Sequence, residues 1–191
     1  MNAPNPQRRA WLAGALALGS GGRAFASDRA PRSTGAAAGG EQRLRLYTVN
    51  QRESLDVVYR RDGEIVPQAL QRIERLLRDR RSDEHAPIDP RLLDLLHRLS
   101  QALATDEPFH VISAYRSPQT NAARAATPGS GVARDSQHAL GRAIDIRVPG
   151  VPLERLRDAA LALGAGGVGF YPASDFVHVD IGKVRSWVDP G

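Results

Sequence analysis

Apolar residues alternate with polar ones in two neighbouring stretches, RLRLYTV and SLDVVYR, which a polar NQRE segment separates, and this period of two predicts a hairpin of two strands. The period then changes. After RDGEI, Pro67 stands where a first helical turn accepts it, and Leu70, Ile73, Leu76 and Leu77 recur at helical spacing, so a helix is predicted over 67–80. Asp89-Pro90 supplies an N-cap and a first-turn proline for a second helix whose apolar face is Leu92, Leu93, Leu95, Leu96, Leu99 and Leu103. The two helices are expected to cover one face of a sheet. The second half contains short strands FHVISA, RAIDIRV, GGVGF and FVHVDI with a single helix over about 152–163. Segregated helices and strands predict a single α+β domain with a small, largely antiparallel sheet and flanking helices.

The polar, Gly-rich stretch TPGSGVARDSQHALG is long for a connection inside a compact domain, which marks it as a place to look for function. At the other end, SDRAPRSTGAAAGGEQ cannot bury enough apolar surface to offset its chain entropy, so 27–42 reads as a flexible linker and 43–191 as the folded domain. Residues 1–26 read as an export signal. They contain the twin arginine Arg8-Arg9, an apolar run from Trp11 to Leu18, and Ala24-Phe25-Ala26 in the small-x-small pattern cut by signal peptidases. The apolar run falls well short of the ~20 residues that span a bilayer, so the mature chain from Ser27 is expected in the periplasm without a stable membrane span. Retention of the signal as an anchor stays open.

Length, composition and charge narrow the chemistry. At 191 residues the chain has room for one domain, and with no cysteine it can hold neither a disulfide nor a thiolate metal site. The formal charge of +5 points towards nucleic acid only until the signal is set aside: residues 1–26 hold Arg8, Arg9 and Arg23 and no acid, so removing them leaves +2. Lys183 is the sole lysine, which reads as a compositional bias towards arginine, and no nucleic-acid partner is expected.

In RAIDIRV, Ile144, Ile146 and Val148 share one strand face, and Ala143, Asp145 and Arg147 the other. FVHVDI repeats the pattern, with Val177, Val179 and Ile181 opposed to Phe176, His178 and Asp180. If these strands are neighbours, Asp145 and His178 converge from one face, and His138 on the Gly-containing loop can close over them. Two imidazoles and one carboxylate with an open position are the donor set of a catalytic zinc. Such an ion activates a water and polarises a carbonyl, leaving the protein to supply a base and an oxyanion partner. Asp175 is the candidate base, on condition that Pro172-Ala173-Ser174 bends the chain before Phe176. Arg116, in the turn SAYRSP, is the candidate that orients substrate or stabilises an oxyanion. His85, His97 and His110 read as ordinary structural or surface histidines. Trp187 reads as a lid on the core, and Tyr115 and Tyr171 as residues that could line a cleft.

Ser136, His138, Gly141, Ala143 and Asp145 in the string S-x-H-x-x-G-x-A-x-D, with SAYRS upstream and D-x-x-H downstream, resemble the LAS-type zinc peptidases of family M15. RDGEIVPQAL, PIDPRLLDLL, GRAIDIRVPGV, GGVGFYP and FVHVDIG are similar to the murein endopeptidase K branch of that family, over about residues 43–189. The resemblance implies a hedgehog/D,D-peptidase-like fold and one zinc ion held by His138, Asp145 and His178. It also implies a catalytic acid before the last histidine, a substrate-binding Arg116, and peptidoglycan stem peptides or crosslinks as substrate. Asp175 departs from the wider pattern, in which many members carry glutamate. Ser136, Gln137 and Asp180 are candidates to support the ligands, with loop capping or strand solvation as the alternative. A D,D-carboxypeptidase or dipeptidase trimming stem peptides is the runner-up activity, and a non-catalytic zinc-stabilised wall-binding module is the reading outside the enzymes.

Overall fold

The structure, a computed structural model, describes residues 40–127, 135–189 and 191. The signal over 1–26 and nearly all of the linker therefore lie outside the described residues, as does much of the polar loop before Asp135. Strands β1 (Gln42–Thr48) and β2 (Glu53–Arg61) form the expected antiparallel hairpin, with Leu44, Leu46, Leu55, Val57 and Tyr59 buried on its inner face. A two-residue strand, β3 (Glu64–Ile65), extends it. Further along come β4 (Phe109–Ser113), β5 (Ala143–Arg147), β6 (Gly167–Tyr171), β7 (Phe176–Asp180) and β8 (Arg185–Val188).

All eight strands join one sheet in the order β3-β2-β1-β4-β5-β7-β6-β8. The pairs β1/β4 and β6/β8 are parallel and the others antiparallel, so the α+β class stands but the sheet is larger than the small one expected. The additional strands escaped the pattern because β3 is too short to show alternation and β8 is largely exposed on both faces.

Helices α1 (Pro67–Leu76), α2 (Pro90–Leu103) and α4 (Leu153–Leu163) are the predicted ones. Asp89 caps α2 by accepting from Arg91 N, and Leu92, Leu93, Leu96 and Leu99 on its inner face are wholly buried. Helix α1 stops four residues before the predicted end. The chain leaves it at Leu77, and Asp79 turns inward to accept from Ser117 N at 2.9 Å and Ser117 Oγ at 2.8 Å. A further helix, α3 (Pro118–Ala125), was invisible to periodicity because Asn121 is its only buried residue. The apolar side chains of the sheet and helices form one core, to which β5, β6 and β7 contribute Ile144, Ile146, Val168, Phe170, Val177 and Val179. Alternation then turns every second residue of those strands to the opposite face, where the polar chemistry collects.

Candidate metal centre

Strands β5 and β7 pair with Ala143 opposite Asp180, Ile144 opposite Val179, Asp145 opposite His178 and Ile146 opposite Val177. Since the isoleucines and valines enter the core, Asp145 and His178 must share the other face. Asp145 Oδ1 lies 2.8 Å from His178 Nδ1 and 3.3 Å from His138 Nε2, and the two imidazole nitrogens are 3.2 Å apart. Candidate donor atoms of the three residues all fall within 4.8 Å of one another, and the three are the only such group of metal-ligating side chains among the described residues.

His138 reaches them from a single 3-10 turn, Gln137–Leu140. Ser136 caps it, its Oγ accepting from His138 N at 3.3 Å, which realises the capping alternative for that residue. Gly141 closes the turn at φ +64, and a Cβ there would run into the carbonyl oxygen of Pro87, so the position demands glycine twice over. Gln137 packs its side chain against the turn at Gly182, where a Cβ would sit 3.2 Å from Gln137 Cδ.

Outer contacts decide which nitrogen of each ring faces inward. His138 Nδ1 is 2.6 Å from Ala114 O, which can only accept, so Nδ1 carries the hydrogen and the Nε2 lone pair faces Asp145. His178 Nε2 donates to Asp180 Oδ2 at 3.1 Å, so in the neutral ring the Nδ1 lone pair faces inward. Asp180 is fully buried and also accepts from Gly167 N at 3.0 Å, Gly182 N at 2.7 Å and Arg185 Nη2 at 2.7 Å. It therefore orients the His178 ring and does not merely solvate a strand end.

The carboxylates of Asp145 and Asp180 dominate the electrostatics of the site. Burial opposes a charged His178, but Asp145 and Asp180 outweigh it and push its pKa up. Burial likewise works to raise the Asp145 carboxyl, yet His138 and His178 hold it well below the usual carboxylate range. Two inward imidazole lone pairs and a carboxylate, each nearly buried, with both outer nitrogens committed elsewhere, fit a zinc ion that keeps a position open.

Arg116 follows β4 and donates its backbone N–H to His138 O at 3.2 Å. Its guanidinium is buried and bonds Asn121 Oδ1 at 3.2 Å, but it pairs with no carboxylate among the described residues. Burial pushes its pKa down, Arg124 adds to that, and Asp145 and Asp79 work the other way. A buried cation so placed invites an anionic group from outside the chain. Tyr115 lines a cavity of about 30 Å³ with Arg116 and Arg124. Its hydroxyl pKa is raised by burial and by the charges of Glu84 and Asp79.

Asp175 lies in the β6–β7 turn at φ +55, the bend that the spacing required. Its carboxylate pairs with Arg147 of β5, two residues beyond Asp145 on the same face. Arg147 had been placed on that face by alternation without a role. Trp187 is not a lid on the core. It faces His178, with ring centroids 5.2 Å apart, because the helices cover the opposite side of the sheet. Tyr171 flanks it, accepting from Trp187 Nε1 at 2.9 Å. His97 and His110 pack beside Tyr59 and Tyr47, and His85 is exposed in its loop.

Residues 36–187 match the family of the peptidoglycan L,D-endopeptidase MepK. The chain is 39% identical over 144 residues to the peptidoglycan L,D-endopeptidase MepK of Escherichia coli K12, covering 75% of this chain and 79% of that protein. The protein of the same name from Shigella flexneri gives the same figures. A probable peptidoglycan L,D-endopeptidase MepK of Haemophilus influenzae is 34% identical over 98% of both chains.

Proposed function

The chain belongs to the family of the peptidoglycan L,D-endopeptidase MepK, and from that premise we propose that it is a zinc-dependent endopeptidase that hydrolyses L,D-peptide crosslinks of peptidoglycan during wall growth or remodelling. The observation that carries the zinc reading is the orientation of the two imidazoles. Ala114 O and Asp180 commit the outer nitrogens, so His138 Nε2, His178 Nδ1 and Asp145 meet at one point.

His138, Asp145 and His178 would hold the zinc ion, which when bound would supply a Lewis acid for the scissile carbonyl and lower the pKa of a water molecule. Arg116 offers its guanidinium, which pairs with no carboxylate among the described residues, to a substrate carboxylate or to the developing oxyanion. Asp175, at the rim of the same face, takes the proton from the attacking water and passes it to the leaving amine. Arg147 holds Asp175 in place from β5.

A peptidoglycan substrate agrees with the twin-arginine signal, so the reading includes export to the periplasm, removal of residues 1–26, a linker to residue 42 and a peptidase domain over 43–191. No helix among the described residues is long and apolar enough to cross a membrane.

The test is digestion of purified sacculi by the chain from Ser27 onward, with chelator and with zinc added back, followed by mass analysis of the soluble products. Loss of crosslinked dimers with a matching gain of monomers, stopped by chelator and restored by zinc, is the expected result. Intact dimers with released D-alanine would instead identify a trimming carboxypeptidase, and wall binding without any product a non-catalytic module.

A further inference from the structure

Strand β6 lies between β7, which carries His178, and β8, which carries no residue of the metal centre. Its glycines alternate, and so do their partners: Gly167 is paired with Arg185 and Gly169 with Trp187 on β8, while Gly169 is also paired with His178 on β7. Without side chains at 167 and 169, residues from β8 can lie across β6 and touch β7. A Cβ on Gly169 would come within 2.6 Å of Trp187 Cε2 and Cζ2, and one on Gly167 would lie 2.5 Å from Asp180 Oδ2 and collide with the Arg185 guanidinium.

Trp187 ends on His178 itself, and Arg185 ends on Asp180, which holds His178. Arg185 Nη2 donates to Asp180 Oδ2 at 2.7 Å, and the same oxygen holds His178 Nε2. The Trp187 ring meets the His178 ring at 5.2 Å and 48°, with its Nε1 tied to Tyr171 and the Arg185 guanidinium 4.9 Å above it. Packing into the core does not account for this arrangement, because β8 is mostly exposed and Trp187 lies on the face opposite the helices. We propose that Arg185 and Trp187 are positioning residues that fix the ring of the metal ligand His178 by reaching across the glycine track of β6. This rests on the metal reading above.

The chain has two tryptophans, and Trp11 precedes Ser27, so in the chain from Ser27 onward the emission of Trp187 reports the site directly. Zinc affinity by chelator competition, tryptophan emission on adding Zn²⁺ or Cu²⁺, and melting of the metal-free protein would be measured together. The panel is wild type, Trp187→Phe, Trp187→Ala, Gly169→Ala and Arg185→Gln. Cu²⁺ is expected to quench wild-type emission. Trp187→Ala, Gly169→Ala and Arg185→Gln should each weaken zinc binding by roughly 10–100-fold, the scale for outer partners of a ligand, with little change in metal-free melting. Trp187→Phe, which keeps a flat ring over His178, should retain most of the affinity. If Trp187→Ala does not fold, Arg185→Gln and Trp187→Phe carry the comparison, since Arg185 is 45% exposed. Wild-type zinc binding matched by Arg185→Gln, and by whichever of Trp187→Ala and Gly169→Ala fold, would overturn the bracing role alone. Failure of the wild type to bind zinc would overturn the metal reading and this inference with it.

Discussion

Asp145 and His178 are directly opposed partners on β5 and β7, and Asp145 Oδ1 lies 2.8 Å from His178 Nδ1. That pairing sets the candidate metal centre in the middle of a sheet whose other face is the core. The third donor, His138, sits on a turn wedged against Pro87 and Asp89, where Asp89 N donates to Gly141 O at 3.0 Å.

Loss of a ligand and loss of its support should differ in degree. Asp145→Asn removes a charged donor between two imidazoles, whereas Asp180→Asn only weakens the hold on His178 Nε2. Asp180→Asn is expected to lower zinc affinity by roughly 10–100-fold, and Asp145→Asn by more. Competition titration with a chromophoric chelator ranks the two, and an equal loss would contradict the assignment of Asp180 as an outer partner.

Asp175→Ala is expected to abolish cleavage of crosslinked muropeptides while zinc stays bound, because Asp175 pairs with Arg147 and with none of the three donors. Arg147→Ala should lower turnover less severely, as it frees the carboxylate without removing it. Retained hydrolysis by the Asp175 variant, scored by mass analysis, would remove it from the role of base.

Gly141→Ala should damage the site through the backbone. A left-handed φ strains any other residue by ~1–3 kcal/mol, and the collision with Pro87 O adds to that. His138 is the residue displaced, so the melting temperature and the zinc affinity are expected to fall together. A variant with lower stability but intact affinity would show that the turn can relax without moving the ligand.

Asp79 predicts an acid limb of stability. Burial works to raise its carboxyl, but hydrogen bonds from Thr120, Arg81 N and Ser117 prevail and hold the pKa at about 2. A group whose folded pKa is depressed stabilises the fold above its unfolded value of about 4, and that contribution disappears as pH falls towards about 2. The shift is worth about 2 kcal/mol at neutral pH. Asp79→Asn should therefore lose about that much at pH 7 and converge on wild type near pH 2, as read from denaturant unfolding across pH.

Much of this was legible in the residues because it depends on neighbours along the chain. Leucines at helical spacing placed α2 and its Asp89 cap, and the alternation in RAIDIRV and FVHVDI put the right side chains on one face. Helix α3 was silent because it buries only Asn121, and β8 because RSWV faces solvent for most of its length. Trp187 was misread for a related reason: a lone tryptophan near a chain end gives no sign of which face of which strand will receive it. The glycines of GGVGF held the missing signal, since gaps at alternate positions on a strand ask what fills them.

By itself the sequence determined the donor types, the faces they occupy and the elements that carry them, since periods of two and of 3.6 are properties of a local backbone. Only the tertiary structure decided that β5 and β7 are neighbours in the register that opposes Asp145 to His178. It also decided that Arg147 meets Asp175, and that β8 lies parallel to β6 with two side chains over two glycines. Strand order and register arise from contacts between residues far apart in the chain, stabilised by burying the common core, and no local pattern contains them.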